Sequence, residues 1–332
     1  MNPHVTIIIL NWNGYKDTLE CLESLYQITY PNYTVIIVDN ASTDSSLEQI
    51  RKYCEGHIPI ESPFFSYSDK NKPVRLYEYT KDEAERAISQ QNEIAQLPSN
   101  QKLILIKNDR NDGFAEGNNI GIRYAIKAFE PDYVFLLNND TVVEKNFLTK
   151  LVEVAQSDDN IGMLGPKNYF YQKKGESNII SFAGGKINLN KYPGYFNIGE
   201  NMADSPQFNQ GIIECDWITG ASMMLPVKKI PFTALNSDLF FGCEDADLGI
   251  KLRKNGFKIV MVLEASIWHK CGRTRKNISR KKVRKILMET KTNFKFLKMH
   301  QRYFYFFIPV YFIQWCWLVL YNAAKRIRTT SN

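Results

Sequence analysis

The sequence predicts an α/β fold with a mostly parallel sheet flanked by helices, and three observations support this prediction. Short runs of apolar, β-branched residues alternate with segments of helical periodicity. Several of these runs end at asparagine or aspartate, at the edge where parallel sheets bind their ligands. With 44% hydrophobic residues, the chain has enough apolar surface for a core, which excludes disordered and collagen-like classes.

The elements of the N-terminal half follow in order. A strand is predicted at Val5 to Leu10 and a helix at Asp17 to Tyr26, where leucines recur at helical spacing. A second strand, Tyr33 to Val38, precedes Ser45-x-x-Glu48, a capping box expected to open a helix toward Tyr53. Two further strands are predicted at Leu103 to Ile106 and at Tyr133 to Leu137, and a helix is predicted between them at Asn118 to Phe129.

Two stretches interrupt this alternation. Glu55 to Gln101 is polar and contains four prolines, which predicts an insertion with one helix at about Asp82 to Gln96. Residues 165–215 are rich in glycine, asparagine and tyrosine without a clear period, which predicts loops or short antiparallel strands.

The net charge of +7 is distributed unevenly. From Lys270 to Asn332 there are sixteen Lys and Arg and one acid, Glu289, so this tail carries +15 and the body −8. Such a split predicts either nucleic acid or an anionic membrane as the partner of the tail. The six cysteines are widely spaced, which favours a reduced, intracellular chain, and the N-terminus is predicted to be a strand and not a signal peptide.

Polar residues after the predicted strands are candidates for a ligand site. Asp39 either belongs to a plain turn or accepts hydrogen bonds from a ligand such as a nucleotide base. The segment 111–119 is either a plain loop before a helix or an anion site at a helix N-terminus. Asn138-Asn139-Asp140 is either a turn or a set of oxygen ligands for Mg²⁺ or Mn²⁺, whose shell a substrate phosphate would complete. We favour the metal and diphosphate interpretation, since the asparagine-rich segment is expected nearby.

An acidic cluster, Glu244, Asp245 and Asp247, opens a predicted helix that ends at Asn255-Gly256. Acids in a first turn complement the helix dipole, but three exceed that need, and repulsion between neighbours can create a general base. His269 follows a later apolar strand, where a histidine is more often structural than a ligand.

These motifs together resemble the inverting family 2 glycosyltransferases, in particular the rhamnosyltransferase-like branch. The resemblance implies a GT-A fold for a catalytic domain at 1–270, with no counterpart for the insertion at about 55–101. The segments that carry it follow the order of the family: VDNASTD (38–44), NDGFAEGNN (111–119), LLNNDT (136–141), DWITGASMML (216–225), FFGCEDADL (240–248) and IWHK (267–270).

The resemblance also implies roles for single residues. Asp245, with Glu244 beside it, would be the general base that activates the acceptor hydroxyl. Asp140 and His269 would hold Mg²⁺ or Mn²⁺, while Asn138 stands where the family has its first metal-binding Asp. Contacts to the nucleotide-sugar would come from Asn11, Asp39, Asn111, Gly113 and Asn138, and the sugar and acceptor pocket from Trp217, Gly220 and Ala221.

The implied reaction is direct displacement of a UDP or dTDP leaving group with inversion, and rhamnose is one candidate sugar. A lipid-linked saccharide is the expected acceptor, in the assembly of cell-surface polysaccharide. Alternatives are a non-catalytic protein that binds nucleotide-sugars or nucleic acid, and a polyprenyl-phosphate glycosyltransferase. A dehydrogenase is disfavoured because no G-x-G-x-x-G follows the first strand, and a processive synthase because Q-x-x-R-W is absent.

The tail at 271–332 predicts helices that associate with a membrane. A basic amphipathic helix at Ser279 to Arg302 precedes the uncharged, aromatic-rich run Tyr303 to Ala324, which would either span a bilayer or lie in its headgroup layer. The alternative is docking on the catalytic domain or on a second subunit, which leaves a homo-oligomer open. We expect attachment to the cytoplasmic side of the cell membrane, peripherally or by a single C-terminal anchor, and no nucleic-acid partner.

Overall fold

The structure is a computed structural model that describes residues 2–86, 91–172, 177–229, 235–239, 242–271 and 282–330. Residues 282–287 and 318–330 are described by their helical backbone alone. Phe240 and Phe241 of the acidic segment, and the start of the predicted basic tail at 272–281, lie outside these ranges.

The N-terminal half is a parallel sheet covered by helices. The strands are β1 (Val5–Asn11), β2 (Tyr33–Asp39), β3 (Arg75–Thr80), β4 (Lys102–Lys107) and β5 (Tyr133–Asn138), in the spatial order β5-β1-β2-β4-β3. The helices are α1 (Tyr15–Leu25), α2 (Ser46–Cys54), α3 (Lys81–Arg86), α4 (Gln91–Gln96) and α5 (Gly113–Phe129). Parallel pairing brings the carboxyl ends of these strands to one edge, as the sequence predicts.

The following segment extends the sheet with mixed pairing. Its elements are β6 (Thr141–Val143), α6 (Phe147–Ser157), β7 (Ile161–Phe170), β8 (Ile180–Phe182), β9 (Gly185–Ile187), β10 (Tyr195–Asn197), β11 (Ile212–Glu214), β12 (Ser222–Pro226), α7 (Glu244–Lys254) and β13 (Lys258–His269). β12 lies antiparallel between β5 and β7, and β13 runs parallel to β7 and antiparallel to β6 and β11. β9 and β10 form a separate pair.

The chain ends in two helices, α8 (Lys282–His300) and α9 (Phe304–Thr330). Phe296 and Leu297 of α8 and Tyr311 of α9 are fully buried within the core of the body. The described part of the tail therefore docks on the α/β domain, which is the alternative that the sequence left open.

Several local predictions differ from the structure. β3 forms an edge strand inside the predicted insertion, where polar side chains concealed its period. The Ser45 side chain makes no capping hydrogen bond; Asp44 Oδ1 instead accepts from the backbone N–H of Ser46 at 3.0 Å. The helix predicted from Asn118 begins earlier, at Gly113, so most of the asparagine-rich segment is helical.

Candidate active site

The site begins with three hydrogen-bonded polar residues at the ends of β1 and β2. Asn11 lies beside Asp39 in the parallel register, and its Nδ2 donates to Asp39 Oδ1 at 2.6 Å. The Ser42 hydroxyl donates to the same oxygen at 2.6 Å, and the Ser42 backbone N–H donates to Oδ2 at 2.9 Å. Asp39 is only 1% exposed, so the turn after β2 is built around this carboxylate. A contact to a nucleotide base stays a prediction for Asp39 and for Asn11.

The next residue, Asn40, holds the loop that carries Asn111. Its side-chain nitrogen donates to Asn111 Oδ1 at 2.9 Å and to the Gly113 carbonyl at 3.1 Å. Its oxygen accepts from Asn108 Nδ2 at 3.0 Å and from the Asp112 backbone N–H at 3.1 Å. Asn40 therefore joins the end of β2 to the start of α5, and it leaves Asn111 exposed at this edge.

The glycines of this region have different roles. Gly113 has a φ of 81°, a conformation that favours glycine, and it begins α5. At Gly117 a Cβ would lie 2.6 Å from Leu10 Cδ1, and at Gly121 2.7 Å from Ile8 Cγ2. These two glycines therefore bring α5 close to β1 and serve the packing of the helix on the sheet.

The strand end of β5 meets the end of β13 at the predicted metal ligands. His269 Nε2 lies 3.0 Å from Asp140 Oδ1 and 3.5 Å from Asn138 Nδ2. Burial by itself would lower the pKa of His269, but the adjacent Asp140 carboxylate raises it to about 10. Burial likewise opposes ionisation of Asp140, whereas His269 and then Lys270 hold its pKa below the usual range.

This pair fits a divalent cation. Neighbouring ligands of an octahedral ion with bonds of about 2.1 Å lie about 3 Å apart, which matches the separation of Asp140 Oδ1 and His269 Nε2. Among the residues that the structure describes, no three His, Cys, Asp or Glu side chains converge on one point. An ion held by Asp140 and His269 would therefore need further oxygen ligands from substrate phosphate or water.

Lys270 anchors the end of β13 to α1. Its Nζ lies 2.6 Å from Asp17 Oδ1 and also binds the Glu20 carboxylate, and its backbone N–H donates to the Asp140 carbonyl at 2.9 Å. All three side chains are nearly buried. Because a buried charge is costly unless it is paired, this cluster restricts the position of His269.

The predicted base is connected to the metal motif through the segment before β12. The Gly220 backbone N–H donates to Asp245 Oδ2 at 3.1 Å, and the Asn138 backbone N–H donates to the Ala221 carbonyl at 2.9 Å. Asp245, in the first turn of α7, is partly exposed, whereas Glu244 is buried. The consecutive residues Gly220 and Ala221 thus bring the Asp245 carboxylate to the edge that carries Asn138.

Trp217 is more deeply buried than a residue that lines an open pocket would be. It is 4% exposed and packs against the rings of Phe182 and Tyr195. A Cβ on Gly220 would lie 2.9 Å from the Phe114 ring, so this glycine lets α5 approach the segment. The roles of Trp217, Gly220 and Ala221 in a sugar or acceptor pocket stay predictions.

Sequence reasoning missed the residues that support the site. Asn40 and Ser42 lie within a motif that the sequence singled out, but their partners come from distant segments. Lys270 also belongs to a quoted motif, yet its acidic partners on α1 give no signal of their own. The sequence signal available for these residues was their position next to a strand end. Their hydrogen-bond partners could be identified only from the fold.

Two family models match consecutive parts of the chain. The model described as Glycosyl transferase family 2 matches residues 6–72, and the one described as Glycosyltransferase like family 2 matches residues 67–287. The second match alone covers more than half of the chain.

One curated relative is the glycosyltransferase GlyG of Streptococcus pneumoniae serotype 4. It is 22% identical over 186 residues, which cover 56% of this chain and 46% of the relative. The chain thus spans about half the length of the curated relative that it matches.

Two solved structures of glycosyltransferases match this chain. GalNAc-T7, crystallised with UDP, GalNAc and Mn²⁺, has a TM-score of 0.53 at 14% identity, covering 80% of this chain and 44% of its own. The mannosyltransferase PcManGT from Pyrobaculum calidifontis, in complex with GDP-Man and Mn²⁺, has a TM-score of 0.48 at 14% identity, covering 81% of this chain and 57% of its own. The GT-A class predicted from the sequence is confirmed, and the family model that matches residues 67–287 shows that this chain belongs to glycosyltransferase family 2.

Proposed function

We propose that this chain is a metal-dependent, inverting glycosyltransferase that moves a hexose from a nucleoside-diphosphate sugar to a hydroxyl group of a lipid-linked saccharide at the cell membrane. UDP and dTDP are the candidate nucleotides and rhamnose is one candidate sugar. The proposed pathway is the assembly of cell-surface polysaccharide. GalNAc-T7 and PcManGT carry Mn²⁺ with UDP and GDP-Man respectively, which supports a divalent ion and a nucleotide donor.

One observation carries the proposal. The hydrogen bonds from Gly220 to Asp245 and from Asn138 to Ala221 connect a partly exposed carboxylate to the end of β5. Asp140 follows that strand end and lies 3.0 Å from His269 at the end of β13. A base and a cation site at one edge are the two elements that a displacement at an anomeric carbon needs.

Each residue then has a separate task. Asp140 and His269 would hold Mg²⁺ or Mn²⁺, which when bound neutralises the charge that develops on the departing diphosphate. Asp245 accepts the proton of the acceptor hydroxyl, and the N–H of Gly220 orients the carboxylate that accepts it. Asn11, Asp39, Asn111, Gly113 and Asn138 lie at the same edge, where they would contact the nucleotide-sugar.

The membrane part of the proposal rests on the surface of α9. Five side chains of this helix are more than half exposed: Tyr305, Phe306, Phe312, Ile313 and Trp317. We call this set of residues the aromatic face. Pro309 lies inside the same helix, and aromatic residues prefer the interface between water and lipid. Exposed apolar patches of this kind mark interaction sites.

The charges beside the aromatic face fit an anionic lipid surface. Lys291, Lys295, Lys298 and Arg302 of the tail are exposed. Lys298 Nζ lies 5.9 Å from the centre of the Tyr305 ring, and Arg302 lies 5.5 Å from that of Tyr303. Basic and aromatic side chains together are typical of helices that lie in the headgroup layer. No helix in the described part of the chain reaches the length and hydropathy required of a bilayer span.

A donor screen tests the reaction. The full-length protein is incubated with UDP-glucose, UDP-galactose, UDP-GlcNAc, UDP-GalNAc, dTDP-rhamnose and GDP-mannose, with Mn²⁺, with Mg²⁺ or with EDTA, and nucleoside diphosphate release is measured. We expect release with one donor and its loss in EDTA. Release with none of them would contradict the proposed function.

Variants test the two assigned groups. We expect Asp245→Asn to lower turnover by at least 100-fold while donor affinity changes less than threefold, because the base contacts the acceptor. Asp140→Asn is expected to weaken Mn²⁺ binding, measured by calorimetry without donor. The control is Asp238→Asn, an exposed carboxylate that contacts Lys295 and not the site. Full turnover by Asp245→Asn would refute the assignment of the base.

A further inference from the structure

The helix that carries the proposed base is held by a residue of the tail. His300, the last residue of α8, places Nε2 2.7 Å from Asp247 Oδ1, and Lys251 Nζ lies 2.7 Å from Asp247 Oδ2. The Asp247 side chain is 1% exposed and lies two residues after Asp245 in the first turn of α7. Burial opposes ionisation of this carboxyl, but His300 and Lys251 hold its pKa below the usual range.

A second contact reaches the residue that precedes α7. Asn293 of α8 accepts a hydrogen bond from Cys243 Sγ at 3.1 Å through Oδ1 and donates to Tyr192 Oη at 3.2 Å through Nδ2. Cys243 has a φ of 71°, a left-handed conformation that is costly for a residue with a side chain. The two α8 contacts therefore bracket Glu244 and Asp245.

α8 is packed tightly against the body of the protein. Phe296 and Leu297 are fully buried, and a Cβ on Gly194 would lie 2.8 Å from Leu297 Cδ2. Trp315 Nε1 of α9 donates to Thr290 Oγ1 of α8 at 2.9 Å. α8 thus contacts α9 through Thr290 and the first turn of α7 through His300.

We propose that His300, assisted by Asn293, is a positioning residue that fixes the start of α7 and so keeps the Asp245 carboxylate on the N–H of Gly220. The proposal rests on the proposed role of Asp245. The tail is then part of the catalytic unit as well as the membrane attachment. A purely structural alternative is that His300 only neutralises a buried carboxylate.

Hydrogen exchange tests the physical contact without any substrate. Amide exchange is measured by mass spectrometry in the full-length wild type, His300→Ala, His300→Gln and Gln301→Ala. Gln301 is the matched control, since its side chain donates to Asn190 Oδ1 at 2.7 Å, away from α7. We expect peptides covering 244–254 to exchange at least tenfold faster in His300→Ala, and near the wild-type rate in the other two. Unchanged exchange in His300→Ala would overturn the proposal.

Kinetics separate positioning from stability. With the donor identified by the screen, we expect His300→Ala to lower kcat about tenfold with KM for the donor within twofold, and His300→Gln to restore most of kcat because its amide can donate to Asp247. In an Asp245→Asn background the same His300→Ala change should have no further effect on kcat.

The outcomes distinguish the two proposals. An inactive Asp245→Asn with a fully active His300→Ala would overturn the positioning role alone. A fully active Asp245→Asn would refute the base and, with it, the positioning role. An equal loss of kcat in both backgrounds would show that His300 acts independently of Asp245 and would also overturn the inference.

Discussion

At the scale of single residues, the site is held by buried polar side chains that form hydrogen bonds within the protein. Asp39 accepts hydrogen bonds from Asn11 and from both the hydroxyl and the backbone of Ser42. Asn40 uses both ends of its amide to hold the loop before α5. Because a buried polar group without a partner is costly, each such residue restricts its neighbours to one arrangement.

His4 gives this principle a measurable dependence on pH. Burial, and next the charge of Lys102, lower the pKa of His4 to about 4, although Asp132 partly opposes the shift. The unfolded chain binds this proton at about 6.5, so between pH 6.5 and 4 the unfolded state holds more protons. The free energy of unfolding should therefore fall as the pH falls through this window, by about 2 to 3 kcal/mol from His4.

Urea unfolding at pH 6.5 and pH 4.5 tests this dependence in the wild type and in His4→Gln. The variant has no proton to gain, so we expect it to lose less stability than the wild type between the two values. An equal loss in both proteins would contradict the prediction.

At the scale of elements, the distance between helix and sheet is set by residues without side chains. Gly117 and Gly121 lie one turn apart on α5 and face Leu10 and Ile8 of β1. This close approach places the N-terminus of α5 beside Asn40 at the strand ends. Gly117, which lies in the segment 111–119 that the sequence analysis considered as an anion site, thus also serves, with Gly121, the packing that positions the site.

Gly121→Ala should destabilise the protein. Its Cβ would lie 2.7 Å from Ile8 Cγ2, a methyl group on a fully buried strand residue that cannot move aside. Overpacking costs about 1 to 3 kcal/mol, while alanine returns about 1 kcal/mol of helix propensity. We expect a net loss of about 1 kcal/mol in urea unfolding. In an Ile8→Ala background the same change should be neutral or stabilising, and an equal loss there would argue against this contact.

At the scale of the whole molecule, the tail has two faces with different partners. Tyr311 and the α8 residues Phe296 and Leu297 are buried against the body, whereas the aromatic face of α9 points outward. The aromatic face is therefore not required for the docking of the tail on the body. We expect it to contact lipid.

Vesicle binding tests the aromatic face. In co-sedimentation with vesicles containing anionic phosphatidylglycerol, the double variant Phe306→Ser and Trp317→Ser should bind at least tenfold more weakly than the wild type, since both side chains are mostly exposed. The control is Phe196→Ser, an exposed aromatic on β10. Equal binding by the double variant and the wild type would exclude the aromatic face as the contact.

Much of this protein follows from local sequence. The apolar runs predict β1, β2, β4 and β5, and the helix α7 with its Gly256 end, because strand and helix periods are local properties. The motifs likewise indicate the family, which the family models confirm. Edge strand β3 and the start of α5 escaped prediction because their periods are concealed by polar residues and glycines.

The tertiary structure decided what each polar residue touches. Nothing in the sequence pairs Gly220 with Asp245, Lys270 with Asp17, or His300 with Asp247, since these contacts join segments that only the fold brings together. The tail's basic and aromatic composition indicated a membrane partner, but its docking on the body depends on buried contacts of α8 and α9. Local composition and period therefore determined the elements and the family, whereas burial and long-range hydrogen bonding determined how the candidate site is held.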